Sequence, residues 1–131
     1  MKIVVEALVN PTEDPGKVEK TLGAVLKGYT LEKRELSKET ILLRAKAQEL
    51  NSLTPLQALL RQDRIRDAAR AILFSGVDGK TIRFSLNKQV AYVDHVSFSE
   101  QDEELPLGSI NVEILCDNPE SVIDWIAPRS R

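Results

Sequence analysis

The chain has 131 residues, of which 42% are hydrophobic and 29% charged, with a net charge of −2. That length supports one core without covalent staples, and the composition is far from the disordered regime. The single Cys116 excludes an internal disulfide, and no run approaches the roughly 18 apolar residues of a membrane span, so a soluble cytoplasmic protein is expected.

Ile3, Val5, Ala7 and Val9 alternate with more polar neighbours, which predicts a half-buried strand over residues 2–9 rather than the continuous apolar stretch of a signal peptide. Asp14-Pro15 then supplies an N-cap followed by a proline at the first helical position, where a missing N–H costs nothing. Val18, Leu22, Val25 and Leu26 form the stripe of this first helix, and Gly28 stands where a left-handed closing residue is needed. Residues 31–36 and 39–47 predict an antiparallel pair turning near Ser37-Lys38. Ile41, Leu43, Ala45 and Ala47 fall on one face of the second member, while Thr40, Leu42, Arg44 and Lys46 fall on the other. One-sided alternation suits a sheet wetted on one face and argues against a doubly wound nucleotide-binding fold.

Thr54-Pro55-Leu56-Gln57 is a capping-box pattern that opens a second helix, running to about Phe74 and ending at Gly76. Leu53, Leu56 and Leu60 share one side of it. Ile65, Ala68, Ala69 and Ile72 share nearly the opposite side at about 100° per residue, although a helix facing one core keeps one phase. Either the helix kinks near residues 61–64, or both sides are covered, one by the sheet and one by a second subunit. The second reading is favoured, and with it a homodimer through helix 54–75 that Leu56→Asp should split.

Asp78-Gly79 marks a turn, and residues 80–86 predict a strand burying Ile82, Phe84 and Leu86. A short helical turn over 87–92, an extended segment over 93–98 and an acidic loop over 99–104 follow. Ile110, Val112, Ile114 and Cys116 alternate as a last strand, and Asn118-Pro119 caps a closing helix with Val122, Trp125 and Ile126 turned inward. The sum is one α+β domain over residues 1–131: a four- to five-stranded, mainly antiparallel sheet with helices packed on one face.

Chemistry is sparse. His95 is the only histidine, which excludes a His-based triad or a two-His metal site within one chain. Its neighbour Asp94 would point to the opposite face of an extended segment. Cys116 occupies an apolar strand position, where cysteine acts as a small hydrophobe. Asp102, Glu103 and Glu104 lack the glycine and the spaced carboxylates of a calcium loop, and Gly76, Gly79 and Lys80 fit neither glycine-rich phosphate motif. No catalytic residue, metal ligand or cofactor site is expected, and the protein is read as non-catalytic.

Charge is more informative. Residues 99–126 carry eight acidic side chains and no Lys or Arg, which leaves the rest of the chain mildly basic. Arg61, Gln62, Arg64, Arg66 and Arg70 lie on the second helix, and Asn87, Lys88, Gln89 and Tyr92 follow the strand beside it. Arginines can fork onto phosphates, while Asn and Gln read base edges or hydroxyls. Together with Arg44 and Lys46, these are the candidate RNA-binding residues. Against them stand the i,i+3 pairs Asp63–Arg66 and Asp67–Arg70, which would make part of this face a self-neutralising structural surface. The aromatic platform of an RNA-recognition motif is missing, since the alternation places Phe84 in the core.

Three blocks carry a resemblance. They are Leu59-Leu60-Arg61-Gln62-Asp63-Arg64-Ile65-Arg66-Asp67-Ala68-Ala69-Arg70; the run from Ile82 through Tyr92, followed by Val96-Ser97-Phe98; and Pro106-Leu107-Gly108-Ser109-Ile110, leading to Ile123-Asp124-Trp125-Ile126-Ala127-Pro128-Arg129. In order and spacing they resemble a small archaeal family of unassigned function labelled predicted RNA-binding, some relatives of which are labelled predicted exosome subunits. The resemblance implies a fold like that of the large-subunit ribosomal protein that holds five-S RNA. It also implies a link to RNA processing or translation, and with the missing catalytic constellations the chain is read as a non-catalytic RNA-binding or ribonucleoprotein accessory protein, with structured RNA as the expected partner. The acidic loop over 100–104 departs from an RNA-binding surface and would weaken one near it. The runner-up readings are a dimeric interaction module without nucleic acid and, behind it, a small-molecule enzyme.

Overall fold

Strict alternation in four strands sends one set of side chains to a shared apolar layer, and the helices cover that layer. The computed structural model describes residues 1–99 and 108–129. In chain order the elements are β1 (Lys2–Val9), α1 (Pro15–Gly23), β2 (Thr30–Glu35), β3 (Ile41–Ala47), a 3₁₀ turn (Leu50–Leu53), α2 (Thr54–Gln62), α3 (Arg66–Ser75), β4 (Val77–Asp78), β5 (Thr81–Asn87), α4 (Lys88–Ala91), β6 (Phe98–Ser99), β7 (Ser109–Leu115) and α5 (Pro119–Ile126). The strands form one antiparallel sheet in the order β2-β3-β1-β7-β5-β4, with β6 on the outer edge of β5.

Ile3, Val5, Ala7 and Val9 of β1, Leu43 and Ala45 of β3, Ile82 and Leu86 of β5, and Ile110, Val112 and Ile114 of β7 are all buried. The register sets like against like: Val5 lies opposite Ala45 on one side and Val112 on the other. α1 packs on β1, α3 on β5, and α5 against α2 and α3. The opposite face carries Glu6, Arg44, Lys46, Arg83, Asn111 and Glu113. The α+β class and the layer of helices on one face therefore agree with the sequence.

Three expectations need correction. The sheet has seven strands among the described residues, not four or five, because β4 and β6 are two residues long and leave no periodic trace in a sequence. The segment expected to be extended over 93–98 pairs only at its end, in β6, and residues 100–104 of the expected acidic loop lie outside the described residues. α1 ends at Gly23, so Val25 and Leu26 are buried beyond the helix, and Gly28, at φ 63°, turns the chain toward β2 instead of closing α1.

The long second helix is two helices. α2 stops at Gln62, Arg64 takes a left-handed φ of 57°, and α3 restarts after Ile65. The break resets the helical phase, so each helix buries its own stripe in the same core: Leu56 and Leu60 from α2, Ala69 and Leu73 from α3, all fully buried. Ile72, expected inside, is 37% exposed. The phase shift thus needs no second subunit, and the motive for a dimer through this segment disappears. Leu56 lies inside the protomer, so Leu56→Asp would unfold the chain and not split a dimer. Among the described residues no helix is long and apolar enough to cross a membrane.

Candidate nucleic-acid interface

The basic and polar residues singled out from the sequence fall into three environments. In the first, fold contacts consume them. Asn87 caps α4, its side-chain oxygen accepting the Val90 N–H at 3.2 Å. Lys88, expected at the surface, is fully buried. Its ammonium donates to the Leu8 carbonyl at 2.6 Å and to the Glu13 carboxylate at 3.0 Å. The Tyr92 hydroxyl donates to the other Glu13 oxygen at 2.7 Å. Asn10 donates to Glu13 from both its backbone and its side chain. Burial alone would raise the Glu13 carboxyl, but the bonds from Tyr92, Asn10 and Lys88 hold it below its ordinary value. The Tyr92 phenol is pushed well up by burial and then by the Glu13 charge. Arg70 is likewise occupied. It donates to Asp124 at 2.7 Å and to the Ala127 carbonyl at 3.0 Å, and its guanidinium sits 5.4 Å from the centre of the Phe74 ring. None of these four residues offers its side chain to a ligand.

The second environment is the open face of the sheet. Arg44 pairs with Glu6, its directly opposite neighbour on β1, at 3.3 Å, and Lys46 pairs with Glu32 of β2 at 3.0 Å. This face is turned away from the helical layer, and Lys88 is buried. The continuous basic strip that would join Arg44 and Lys46 to Arg61, Arg64 and Lys88 therefore does not form.

The third environment is the elbow between α2 and α3. Arg61 and Arg64 are exposed and Arg66 half-buried, and none of the three has an ion pair within 4 Å among the described residues. With Asp67 they line a shallow recess of about 400 Å³. The pair expected between Asp63 and Arg66 is replaced by a clasp to the loop after α4. The Asp63 carboxylate accepts the Val96 N–H at 2.9 Å and meets His95 Nδ1 at 2.9 Å, while Gln62 donates to the Asp94 carbonyl at 3.3 Å. The Val96 N–H foremost, and then His95, hold the Asp63 carboxyl below its ordinary value. Arg64 and Asp94, at φ 57° and 59°, stand on the two sides of this clasp and are the non-glycine residues of positive φ among those described. Gln89 is exposed on α4 nearby in sequence to the clasp.

Chemically, the elbow presents three guanidinium groups beside the single Asp67 carboxylate, without an ion pair within 4 Å among the described residues, a donor set that suits phosphate oxygens. His95 is engaged with Asp63, and Cys116 is buried with its thiol pushed up by that burial. Among the described residues no group of three or more His, Cys, Asp or Glu side chains is placed to hold a metal ion. Sequence reasoning missed the clasp, because its partners lie some thirty residues apart along the chain.

A family model described as RNA binding matches residues 2–116. A UPF0201 protein of Saccharolobus islandicus is 42% identical over 132 residues, covering 99% of this chain and 89% of its own length. A UPF0201 protein of Saccharolobus solfataricus is 40% identical over the same length and coverage. Among solved structures, the UPF0201 protein from Methanococcus jannaschii superposes with a TM-score of 0.86 at 34% identity, over 100% of this chain and 96% of that one. A DUF54 protein from Methanothermobacter thermautotrophicus shares the fold, with a TM-score of 0.64 at 18% identity over 95% of this chain and 93% of that one.

Proposed function

The chain belongs to the archaeal UPF0201 family, and from its own match to the RNA-binding model we propose that it is a non-catalytic RNA-binding protein whose α2–α3 elbow contacts the phosphate backbone. One observation carries the placement: Arg61, Arg64 and Arg66 converge on an exposed elbow without an ion pair among the described residues, whereas Arg70, Lys88, Asn87 and Tyr92 are spent on the fold. Gln62 and Gln89 flank the arginines as polar side chains suited to sugar hydroxyls or base edges. The strained φ of Arg64 supports the reading, because strain of this kind collects at functional positions and a guanidinium is kept where glycine would fit more easily. A role in the cytoplasm with structured RNA, in processing or translation, and a likeness to the ribosomal protein that holds five-S RNA, belong to this proposal as well.

The test is a titration of a short RNA hairpin at several salt concentrations. Each neutralised phosphate contributes roughly 0.7–0.9 to the slope of log affinity against log salt. Replacing Arg61 and Arg64 together by Ala should lower the slope by about 1.4–1.8, while circular dichroism stays unchanged. Absence of binding to hairpin and single-stranded RNA in low salt would end the reading.

A second reading, a protein-interaction module, draws on Ile72 and Phe74, which are 37% and 42% exposed on α3. Sedimentation at micromolar concentration checks its self-associating form: a monomer there removes the homodimer.

A further inference from the structure

At the end of the sheet remote from the β2–β3 turn, four chain segments enclose a recess of about 870 Å³. The start of β1 contributes Lys2, the approach to β2 contributes Lys27, Gly28 and Thr30, the end of β3 contributes Lys46, and the 3₁₀ turn contributes Asn51 and Ser52. Lys2 and Lys27 have no ion pair within 4 Å among the described residues, and Lys46 is tied to Glu32 at 3.0 Å. Glu49 is the one carboxylate among the lining residues, and it pairs with none of the three lysines within 4 Å. A Cβ on Gly28 would meet nothing within 4 Å, and its φ of 63° holds the backbone in an open turn beside Lys27. The lining thus combines the unpaired Lys2 and Lys27 and the Glu32-paired Lys46 with the hydroxyl residues Thr30 and Ser52 and the amide residues Gln48 and Asn51, against the one carboxylate of Glu49. That is the chemistry of an anion site.

We propose that this recess is a second phosphate-binding site, taking a backbone phosphate of the RNA whose other contact is the elbow. The phosphate chemistry rests on the recess itself, and its source in RNA rests on the reading of the preceding subsection. The two sites lie at opposite ends of α2: Asn51 and Ser52 precede it, and Arg61 closes it. Nine helical residues at about 1.5 Å each put them roughly 14 Å apart along the helix axis, a distance that a few nucleotides span. Lys2 and Lys27 belong to no motif, because they come together only when the β1 start meets the turn before β2.

The experiment compares four proteins in the hairpin titration across salt: the unaltered chain, the elbow pair Arg61→Ala with Arg64→Ala, the recess pair Lys2→Gln with Lys27→Gln, and a control pair Lys17→Gln with Lys20→Gln on α1. The control makes the same change in charge away from both sites. A second arm titrates inorganic phosphate into the unaltered chain and the recess pair, followed by amide shifts of Gly28, Thr30 and Asn51. The expected result is a slope lowered by about 0.7–0.9 in the recess pair, one phosphate's worth, and unchanged in the control. The phosphate shifts should saturate and vanish in the recess pair. Elbow-dependent RNA binding with an unaltered slope in the recess pair, or an equal fall in the control, overturns the recess and leaves the RNA reading intact. Loss of RNA binding throughout, with phosphate shifts that depend on Lys2 and Lys27, keeps the anion site and overturns its RNA source in favour of a small phosphorylated molecule. No shifts with phosphate and no effect on the slope overturn both parts.

Discussion

Lys88 and Arg64 carry the same charge and stand in adjoining parts of the helical layer, yet the fold treats them in opposite ways. Lys88 is withdrawn completely from solvent and closed into a knot with Leu8, Glu13 and Tyr92. Arg64 is left exposed on a strained backbone, with its neighbours Arg61 and Arg66 also lacking an ion pair among the described residues. A buried cation must be matched by a carboxylate and further acceptors, or its desolvation would unfold the protein. An exposed one needs nothing from the fold. The knot is therefore structural, whereas the elbow keeps three guanidinium groups without an ion pair among the described residues.

The sharpest way to break this comparison is at the knot. Lys88→Ala strips the cation from a carboxylate that is 4% exposed, and loss of one partner of a buried pair costs about 3–5 kcal/mol. Urea denaturation should show that loss, and Tyr92→Phe should cost less, since it removes one neutral donor. RNA affinity of whatever Lys88→Ala protein stays folded should keep its salt slope. A slope reduced by one phosphate would place Lys88 at the interface and undo the contrast.

How far the sequence reveals either region depends on the distance over which its partners are drawn. β1, β3, β5 and β7 are legible because alternation is a local signal, and α5 because Asn118 caps it at once, accepting the Ser121 N–H at 3.2 Å. The break after α2 shows in the sequence only as a phase shift, which leaves a kink near residues 61–64 and a second subunit both open, because the left-handed position is an arginine and no glycine or proline marks it. Lys88 misleads for a different reason: its carboxylate stands 75 residues away, in the loop after β1. Arg70 is claimed by Asp124 across 54 residues. Arg44 and Lys46 were assigned correctly to the wetted face of β3, but nothing local says that this face looks away from α2. What survives as a candidate interface, Arg61, Arg64 and Arg66, is the part whose role needs no remote partner.

Next in size is the clasp that holds the elbow in place. Asp63→Ala leaves the part-buried Val96 N–H without its acceptor and removes the contact to His95, at an expected cost of about 1–3 kcal/mol. The acid dependence gives an independent check. The Asp63 carboxyl is held below its ordinary value in the folded chain, so it contributes stability that is present above the unfolded carboxylate value near 4 and lost as pH falls through the lower folded value. Denaturation curves of Asp63→Ala should accordingly show a shallower decline of stability in that acid window than the unaltered chain. RNA binding should weaken too, because the arginines lose a fixed geometry. A variant that loses stability but binds RNA undiminished would show that the clasp does not position the elbow.

The smallest effect is also the most discriminating. At φ 57° an L-residue bears a steric cost of about 1–2 kcal/mol that glycine escapes. Glycine in turn gains about 0.5–1 kcal/mol of freedom in the unfolded chain, so Arg64→Gly should leave the fold unchanged or stabilise it by at most about 1.5 kcal/mol. The same change removes one exposed guanidinium, and the RNA salt slope should fall by roughly 0.7–0.9. Stability that holds or rises while binding drops is the signature of a residue kept for a ligand at the expense of its own backbone. If Arg64→Gly instead destabilises the chain by more than about 1 kcal/mol and leaves the slope untouched, the Arg64 side chain serves the fold, as Lys88 does. Elbow and knot would then be two forms of the same structural use of charge, and the phosphate contact would have to be sought at Arg61, Arg66 or the lysine recess.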